Sequence, residues 1–283
     1  MKKNYEGYKK PTWCPGCGDF AILSVLKKTF AKLKIDPTQT VVVSGIGCSG
    51  KSYAFIYSNG INTLHGRVLP IATGIKLANP DLKVVVLSGD GDTLAIGGNH
   101  FIHTARRNVD ITLIIMDNKI YGLTKGQFSP TSNQGFITVS SPYGSKEFPV
   151  DPVVLALTSG ASFVARAFSG EVNSLTQIIE EGIKHKGFAV IDVLSPCVTF
   201  NKVNTYEWYR ENIEFIPENR DLSNLKEAFT LAVYTNGKIP LGIFYKKERP
   251  TYHELMLDSK NPCREDLLCG RDRVVEIIEK LCE

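Results

Sequence analysis

The sequence predicts an α/β protein with a doubly wound, mostly parallel sheet, on two observations. Four short runs, Val41-Val42-Val43, Val84-Val85-Val86-Leu87, Ile111 to Ile115 and Val190 to Leu194, are apolar and rich in β-branched residues. Runs of this kind fit strands buried on both faces. Helical patterns lie before and between them, and alternating strand and helix winds a parallel sheet with right-handed crossovers. The length of 283 residues suits one large domain or two modest ones.

Along the chain, Asp19 is placed to cap a helix whose apolar stripe is Phe20, Leu23, Leu26, Phe30 and Leu33, ended by Asp36-Pro37. A second helix runs from Val68 to Ala78 and stops before Pro80. Thr93 to Arg107 and Val172 to Lys186 read as two more. Beyond residue 200 the composition shifts: 28 of the last 83 residues are charged, against 34 of the first 200. In that part only Pro240 to Tyr245 offers a strand. The expected organisation is a core domain, 1–200, and a charged C-terminal extension, 201–283, packed on the core or on a partner subunit.

Composition excludes several classes. With 43% hydrophobic and 22% charged residues the chain can build a core, unlike disordered, collagenous or coiled-coil sequences. Thirty-three Lys and Arg against 29 Asp and Glu leave a net charge of +4, no footprint of nucleic-acid binding. No segment approaches the ~18 uninterrupted apolar residues of a membrane span. The basic start MKKNYEGYKK has no apolar stretch behind it, so it does not read as a secretory signal. Seven cysteines are too few for a disulfide scaffold and imply reduced thiols or metal ligands in the cytoplasm.

Ligands of open α/β sheets bind outside the carboxyl ends of the strands. There the four runs hand over to Ser44-Gly45-Ile46-Gly47-Cys48-Ser49-Gly50-Lys51, Ser88-Gly89-Asp90-Gly91-Asp92, Asp117-Asn118-Lys119 and Ser195-Pro196-Cys197. Cys14-Pro15-Gly16-Cys17 precedes the first helix. Four such thiols suit zinc or an iron–sulfur cluster, or a redox pair beside two buried thiols, and the gaps of 2, 30 and 148 residues match no fixed signature. Cys263, Cys269 and Cys282 have no assigned role. Asp90 in a tight glycine turn suits magnesium, which takes one or two carboxylates plus phosphates, and Asn118 can complete the coordination. Gly45 to Ser52 also fits the phosphate-loop pattern of nucleotide triphosphatases. However, Tyr53-Ala54-Phe55-Ile56-Tyr57-Ser58-Asn59-Gly60 does not continue it as the robust helix such a loop needs.

Taken together, Trp13-Cys14-Pro15-Gly16-Cys17-Gly18, Gly45 to Ser49, His65-Gly66-Arg67, Gly89 to Asp92, Asp117 to Gln127 and Cys197 resemble the β subunit of 2-oxoacid:ferredoxin oxidoreductases. The resemblance covers about residues 11–200 and implies a sheet of the thiamine diphosphate-binding type. It implies magnesium on Asp90, Asn118 and the carbonyl of Ile120, and a thiamine diphosphate site lined by Ile46, Gly47, Cys48, Ser49, His65, Gly91, Asp92, Gly122 and Leu123. One [4Fe-4S] cluster would sit on Cys14, Cys17, Cys48 and Cys197.

The implied activity is coenzyme A-dependent oxidative decarboxylation of 2-oxoacids, 2-oxoglutarate or pyruvate, to acyl-CoA and carbon dioxide, with ferredoxin as acceptor. No catalytic residue is assigned in this chain, His65 being the candidate. The carboxylate that activates the thiamine ring would come from an α (or fused γα) subunit, so the chain alone is expected to be inactive. Lys125, just past the magnesium residues, is expected to pair with the second carboxylate of 2-oxoglutarate. A non-redox thiamine decarboxylase subunit is the alternative, a triphosphatase the remote one.

Overall fold

The computed structural model describes residues 5–233, 237–257 and 261–264, with positions 275, 278 and 279. Cys269 and Cys282, like most of the chain end, lie outside these residues. The strands are β1 (Thr40–Ser44), β2 (Asn59–Asn62), β3 (Lys83–Gly89), β4 (Thr112–Asp117), β5 (Ile120–Tyr121) and β6 (Gln127–Phe128). They continue with β7 (Phe163–Phe168), β8 (Ala189–Leu194), β9 (Ile213–Phe215) and β10 (Ile239–Lys246). The helices are α1 (Asp19–Lys32), α2 (Val68–Ala78), α3 (Gly98–Arg107), α4 (Pro152–Thr158), α5 (Val172–Lys184), α6 (Tyr206–Asn212), α7 (Leu225–Val233) and α8 (Tyr252–Leu257).

Eight strands form one sheet in the order β2-β1-β3-β4-β8-β7-β10-β9. Every neighbouring pair is parallel except β7 with β10. The β-branched runs occupy its centre because side chains alternate across a strand and both faces are covered. Val42, Val85, Leu87, Ile114 and Met116 pack with α1 and α5, through Leu26, Phe30 and Ile179. Val43, Val84, Val86, Leu113 and Ile115 pack on the other side, with Leu69, Phe101, Val153 and Ala228. Each such fully buried side chain contributes roughly 1.5–3 kcal/mol relative to exposure. The sheet is thus sandwiched, as the sequence predicts.

Three local readings change. Asp19 does not cap α1: Gly18 holds the N-cap position without a side-chain bond. The Asp19 carboxylate is instead buried and accepts the Ser195 hydroxyl at 2.7 Å. The helix expected over Thr93 to Arg107 is split into a π-type turn, Gly91–Ile96, and α3. At the junction a Cβ on Gly97 would stand 2.5 Å from the Asp92 carbonyl oxygen, so only glycine fits this widened turn. The region after residue 200 adds β9 and β10 to the main sheet, β10 pairing with β7. Among the described residues no helix is long and apolar enough to cross a membrane.

Because β1, β3, β4 and β8 are parallel neighbours, their carboxyl ends, Ser44, Gly89, Asp117 and Leu194, lie along one edge. Every motif singled out in the sequence leaves the sheet there or, like the Cys14–Cys17 loop, packs against it.

Candidate functional site

The loops leaving β1, β3 and β4 enclose a cavity of about 320 Å³. All twelve residues expected to hold the cofactor or magnesium line it: Ile46 to Ser49, His65, Asp90 to Asp92, Asn118, Ile120, Gly122 and Leu123. Sequence separations of up to 77 positions, from Ile46 to Leu123, are closed by the strand order alone.

Asp90 is 2% exposed and its Oδ2 accepts hydroxyls from Ser129 and, at 2.7 Å, from Thr131. The same Thr131 hydroxyl lies 2.7 Å from Asp117 Oδ1. One hydroxyl hydrogen cannot serve two ionised carboxylates, so negative charge is in excess here. Burial and the neighbouring Asp117 push Asp90 up to about 7, and a cation on its free oxygen would relieve both effects. Asn118 Oδ1 accepts the Ile120 N–H at 3.1 Å, which draws the amide and the following backbone to one side of the cavity. The donor set at this corner is one carboxylate, one amide oxygen and a backbone carbonyl, the hard oxygen ligands magnesium takes.

Asp92 borders the cavity, but its oxygens are already engaged. Oδ1 accepts the Gly66 N–H at 2.8 Å and lies 2.7 Å from His65 Nδ1, while Oδ2 accepts the Ser88 hydroxyl at 2.7 Å. It holds the ring of His65, which lines the cavity, through Nδ1. Tyr121 covers Gly91: its hydroxyl donates to the Gly91 carbonyl at 3.3 Å, and a Cβ on Gly91 would meet the ring at 2.2 Å. Burial, with Asp90 and Asp92 nearby, holds the Tyr121 hydroxyl up at about 12, so it stays a donor. Sequence reasoning missed Ser129, Thr131 and the support role of Asp117. The hydroxyl-rich Ser129-Pro130-Thr131-Ser132, close after the Asp-Asn pair, was the available signal.

A second cavity, of about 270 Å³, is lined by Cys14, Cys17, Cys48 and Cys197. Backbone and side-chain bonds bring these distant thiols together. The Gly18 N–H donates to the Pro196 carbonyl at 3.2 Å, and Trp13 Nε1 donates to the Cys48 carbonyl at 2.7 Å. Burial pushes the Cys48 thiol up to about 11 and raises Cys17 further, with Asp19 adding to both. Asp19, itself pushed up to about 6 by burial, also lines the first cavity. Burial keeps Cys17 and Cys48 as neutral thiols here, and a cationic centre bound in the cavity would favour their ionised form. Among the described residues, no three His, Cys, Asp or Glu side chains converge tightly enough for a single metal ion.

Cys48, Asn118, Gly122 and Leu123 line both cavities and form the wall between them. A Cβ on Gly122 would stand 3.6 Å from Cys197 Sγ and 3.8 Å from Cys48 Sγ. Lys125 lies on the thiol side: it lines the second cavity and not the first, at the tip of the β5–β6 hairpin with φ of 74°. Cys263 is exposed and donates to the Ala78 carbonyl at 3.0 Å, remote from both cavities in its contacts.

The phosphate-loop reading fails on geometry. Ser49–Phe55 is a 3₁₀ turn, not a long helix. Asn62 ties the loop's carbonyls together, donating to Gly45 at 2.7 Å and Gly50 at 2.9 Å. Ser52, the residue that would hold the metal, is buried beside Met116.

Comparison with known proteins agrees. Residues 45–193 match the C-terminal TPP-binding domain of thiamine pyrophosphate enzymes, and residues 197–261 the C-terminal part of the pyruvate ferredoxin oxidoreductase beta subunit. The chain is 48% identical to subunit beta of 2-oxoacid:ferredoxin oxidoreductase 1 from Aeropyrum pernix, over 88% of this chain and 82% of the relative. It is 42% identical to the 2-oxoglutarate synthase subunit KorB of Methanocaldococcus jannaschii, over 86% and 90%. The solved 2-oxoglutarate:ferredoxin oxidoreductase from Magnetococcus marinus, with 2-oxoglutarate, coenzyme A and succinyl-CoA bound, superposes with a TM-score of 0.92. That match is 42% identical and covers 98% of this chain and 96% of that one. Fold, cavity and likeness converge: the chain belongs to the β subunits of the 2-oxoacid:ferredoxin oxidoreductases.

Proposed function

We propose that, with an α subunit, this chain carries out coenzyme A-dependent oxidative decarboxylation of 2-oxoacids, 2-oxoglutarate foremost, to acyl-CoA and carbon dioxide, with ferredoxin as acceptor. The observation that carries the reading is the pair of cavities sharing one wall: an oxygen-donor corner beside glycine loops on one side, four cysteines on the other. Residues 1–200 would hold both centres, with 201–283 the charged extension, whose β9 and β10 continue the same sheet.

Asp90, Asn118 and the Ile120 carbonyl would hold magnesium against the pyrophosphate, with Ser129 and Thr131 fixing the Asp90 carboxylate. Gly91, kept open because Tyr121 occupies the space a side chain would need, lets backbone N–H groups approach the phosphates. His65, oriented by Asp92, would face the cofactor. Bound there, thiamine diphosphate supplies the electron sink that decarboxylation of a 2-oxoacid requires.

Cys14, Cys17, Cys48 and Cys197 would hold one [4Fe-4S] cluster. Four thiols lining one cavity supply the ligand number that such a cluster takes. The wall at Cys48 and Gly122 keeps the two centres adjacent, and Asp19, Trp13 and Ser195 hold the cysteine loops in place. This chain contributes no assigned carboxylate toward the thiamine ring, so it should turn over only with its α subunit.

The test is composition of the protein purified without oxygen from coexpression with its α subunit. It should be brown, contain about four irons and four sulfides per β chain and hold thiamine diphosphate. It should also reduce a dye in the presence of a 2-oxoacid and coenzyme A. Thiamine diphosphate without iron would establish the non-redox decarboxylase instead, and zinc in place of iron would refute the redox assignment.

Lys125 tests substrate choice. Although Lys125 lines the thiol cavity and not the cofactor cavity, its ammonium would pair with the distal carboxylate of a substrate long enough to extend past the shared wall. Lys125→Ala should raise KM for 2-oxoglutarate about tenfold more than KM for pyruvate. Equal effects on both substrates would remove Lys125 from specificity.

A further inference from the structure

The thiol cavity reaches solvent beside Cys14, which is exposed, whereas Cys17, Cys48 and Cys197 are half-buried. Two segments build this rim, residues 8–18 and 196–210. Together they carry Lys9, Lys10, Lys202 and Arg210 against a single carboxylate, Glu207. The basic groups are tied to the rim. Lys202 Nζ donates at 2.5 Å to the carbonyl of Val198, a lining residue. Arg210 lies 6.0 Å from the ring of Tyr206, whose hydroxyl donates at 3.2 Å to Gly16, inside the Cys14–Cys17 loop. Lys10 is exposed and precedes Thr12, another lining residue, by two positions. Phe200, which lines the thiol cavity, and Val203 are 38% and 51% exposed, and Tyr8 in the first segment is 67% exposed. A small apolar centre whose border is net positive suits a partner of net negative charge.

We propose that this basic rim is the docking surface for the electron-accepting partner, a small acidic protein carrying a one-electron centre. The inference rests on the reading that the four cysteines hold the cluster and adds where the acceptor binds. Electrostatic attraction brings the acidic carrier to the rim, and Phe200 and Val203 supply the dry contact next to Cys14. A transient contact of this kind gains its speed from charge steering, so it must weaken with salt.

The holoenzyme, coexpressed with its α subunit, provides the test. Lys10→Glu, Lys202→Glu and the double variant are compared with wild type for reduction of a purified acidic ferredoxin and of a small viologen dye. Brown colour and iron content are checked first. The double variant should lose about tenfold in kcat/KM for ferredoxin at low salt while dye reduction is unchanged. Its rate should be nearly flat with ionic strength where wild type falls steeply. The pair Lys10→Gln and Lys202→Gln should give a smaller loss of the same kind, which keeps the test open if charge reversal disturbs assembly. Unchanged ferredoxin kinetics would overturn the proposal. So would equal losses with ferredoxin and dye, which would mark the rim as a contact with the α subunit. Iron-free protein would instead bring down the cluster reading itself.

Discussion

Asp90→Asn will abolish magnesium-dependent retention of thiamine diphosphate while leaving the ligand-free chain at least as stable as wild type. The two effects come from the same geometry. Asp90 is buried, shares the Thr131 hydroxyl with Asp117, and is held well above the usual carboxylate range by burial and that neighbour. A carboxylate kept under such strain is uphill until a cation arrives. An amide at this position can still accept the Ser129 and Thr131 hydroxyls but adds no charge, so the repulsion with Asp117 disappears. Removing the one anionic donor should weaken cofactor binding by at least about 100-fold, since even outer partners of metal sites are worth 10–100-fold. Thermal melting with and without magnesium and thiamine diphosphate reads both effects. Wild type should gain stability on addition, and the variant should not. A variant that melts higher with the cofactor by the same margin as wild type would move the metal away from Asp90.

The largest effect on folding is expected at Arg166, in the centre of β7. Its Nε donates to Asp192 Oδ2 and its Nη2 to Asp151 Oδ1, both at 2.7 Å. Arg166 and Asp192 are register partners on neighbouring parallel strands, and both are buried. Asp151 in turn caps α4, accepting the Val153 N–H at 2.8 Å and the Val154 N–H at 3.0 Å. Arg166→Met leaves Asp192 without a partner inside the sheet, which costs about 3–5 kcal/mol, a large part of the ~5–15 kcal/mol that keeps a domain folded. Arg166→Met combined with Asp192→Leu should recover much of that loss, because two apolar neighbours need no charge compensation. Urea denaturation of the single and double variants decides it. A single variant within about 1 kcal/mol of wild type would show that the pair contributes little to stability.

These two sites also mark what could and could not be read from the sequence. The four central strands were legible because their apolar runs are long and their two faces are both buried. α1 was legible from its apolar stripe and stop signal, α2 from its stop before Pro80, and α5 as a helical pattern over Val172 to Lys186. β7 was not, because Phe-Val-Ala-Arg-Ala-Phe has a charge at its centre. That charge makes sense only beside Asp192, 26 positions away. β2, Asn59–Asn62, is exposed along its whole length and gave no hydrophobic signal. The residues that line the first cavity were legible because they sit at strand ends and carry a family pattern. Thr131 and Ser129 were not, since hydroxyls in a loop announce nothing until the fold turns them onto Asp90. Asp19 was seen but misread: a carboxylate at a helix start suggests a cap, and only the neighbouring Ser195 shows it turned inward.

The wall made by Cys48, Asn118, Gly122 and Leu123 has no idle side. Each of these residues answers to two chambers at once, so the site is a shared component and cannot be tuned chamber by chamber. At Gly122 a Cβ would already touch Cys48 and Cys197 at 3.6–3.8 Å, so alanine fits but a side chain that extends toward them would crowd the thiols. By linkage, if binding in one chamber shifts this wall, ligands of the two chambers would change each other's affinity by the same factor. An engineer wishing to alter substrate choice is therefore left with the rims of the two chambers.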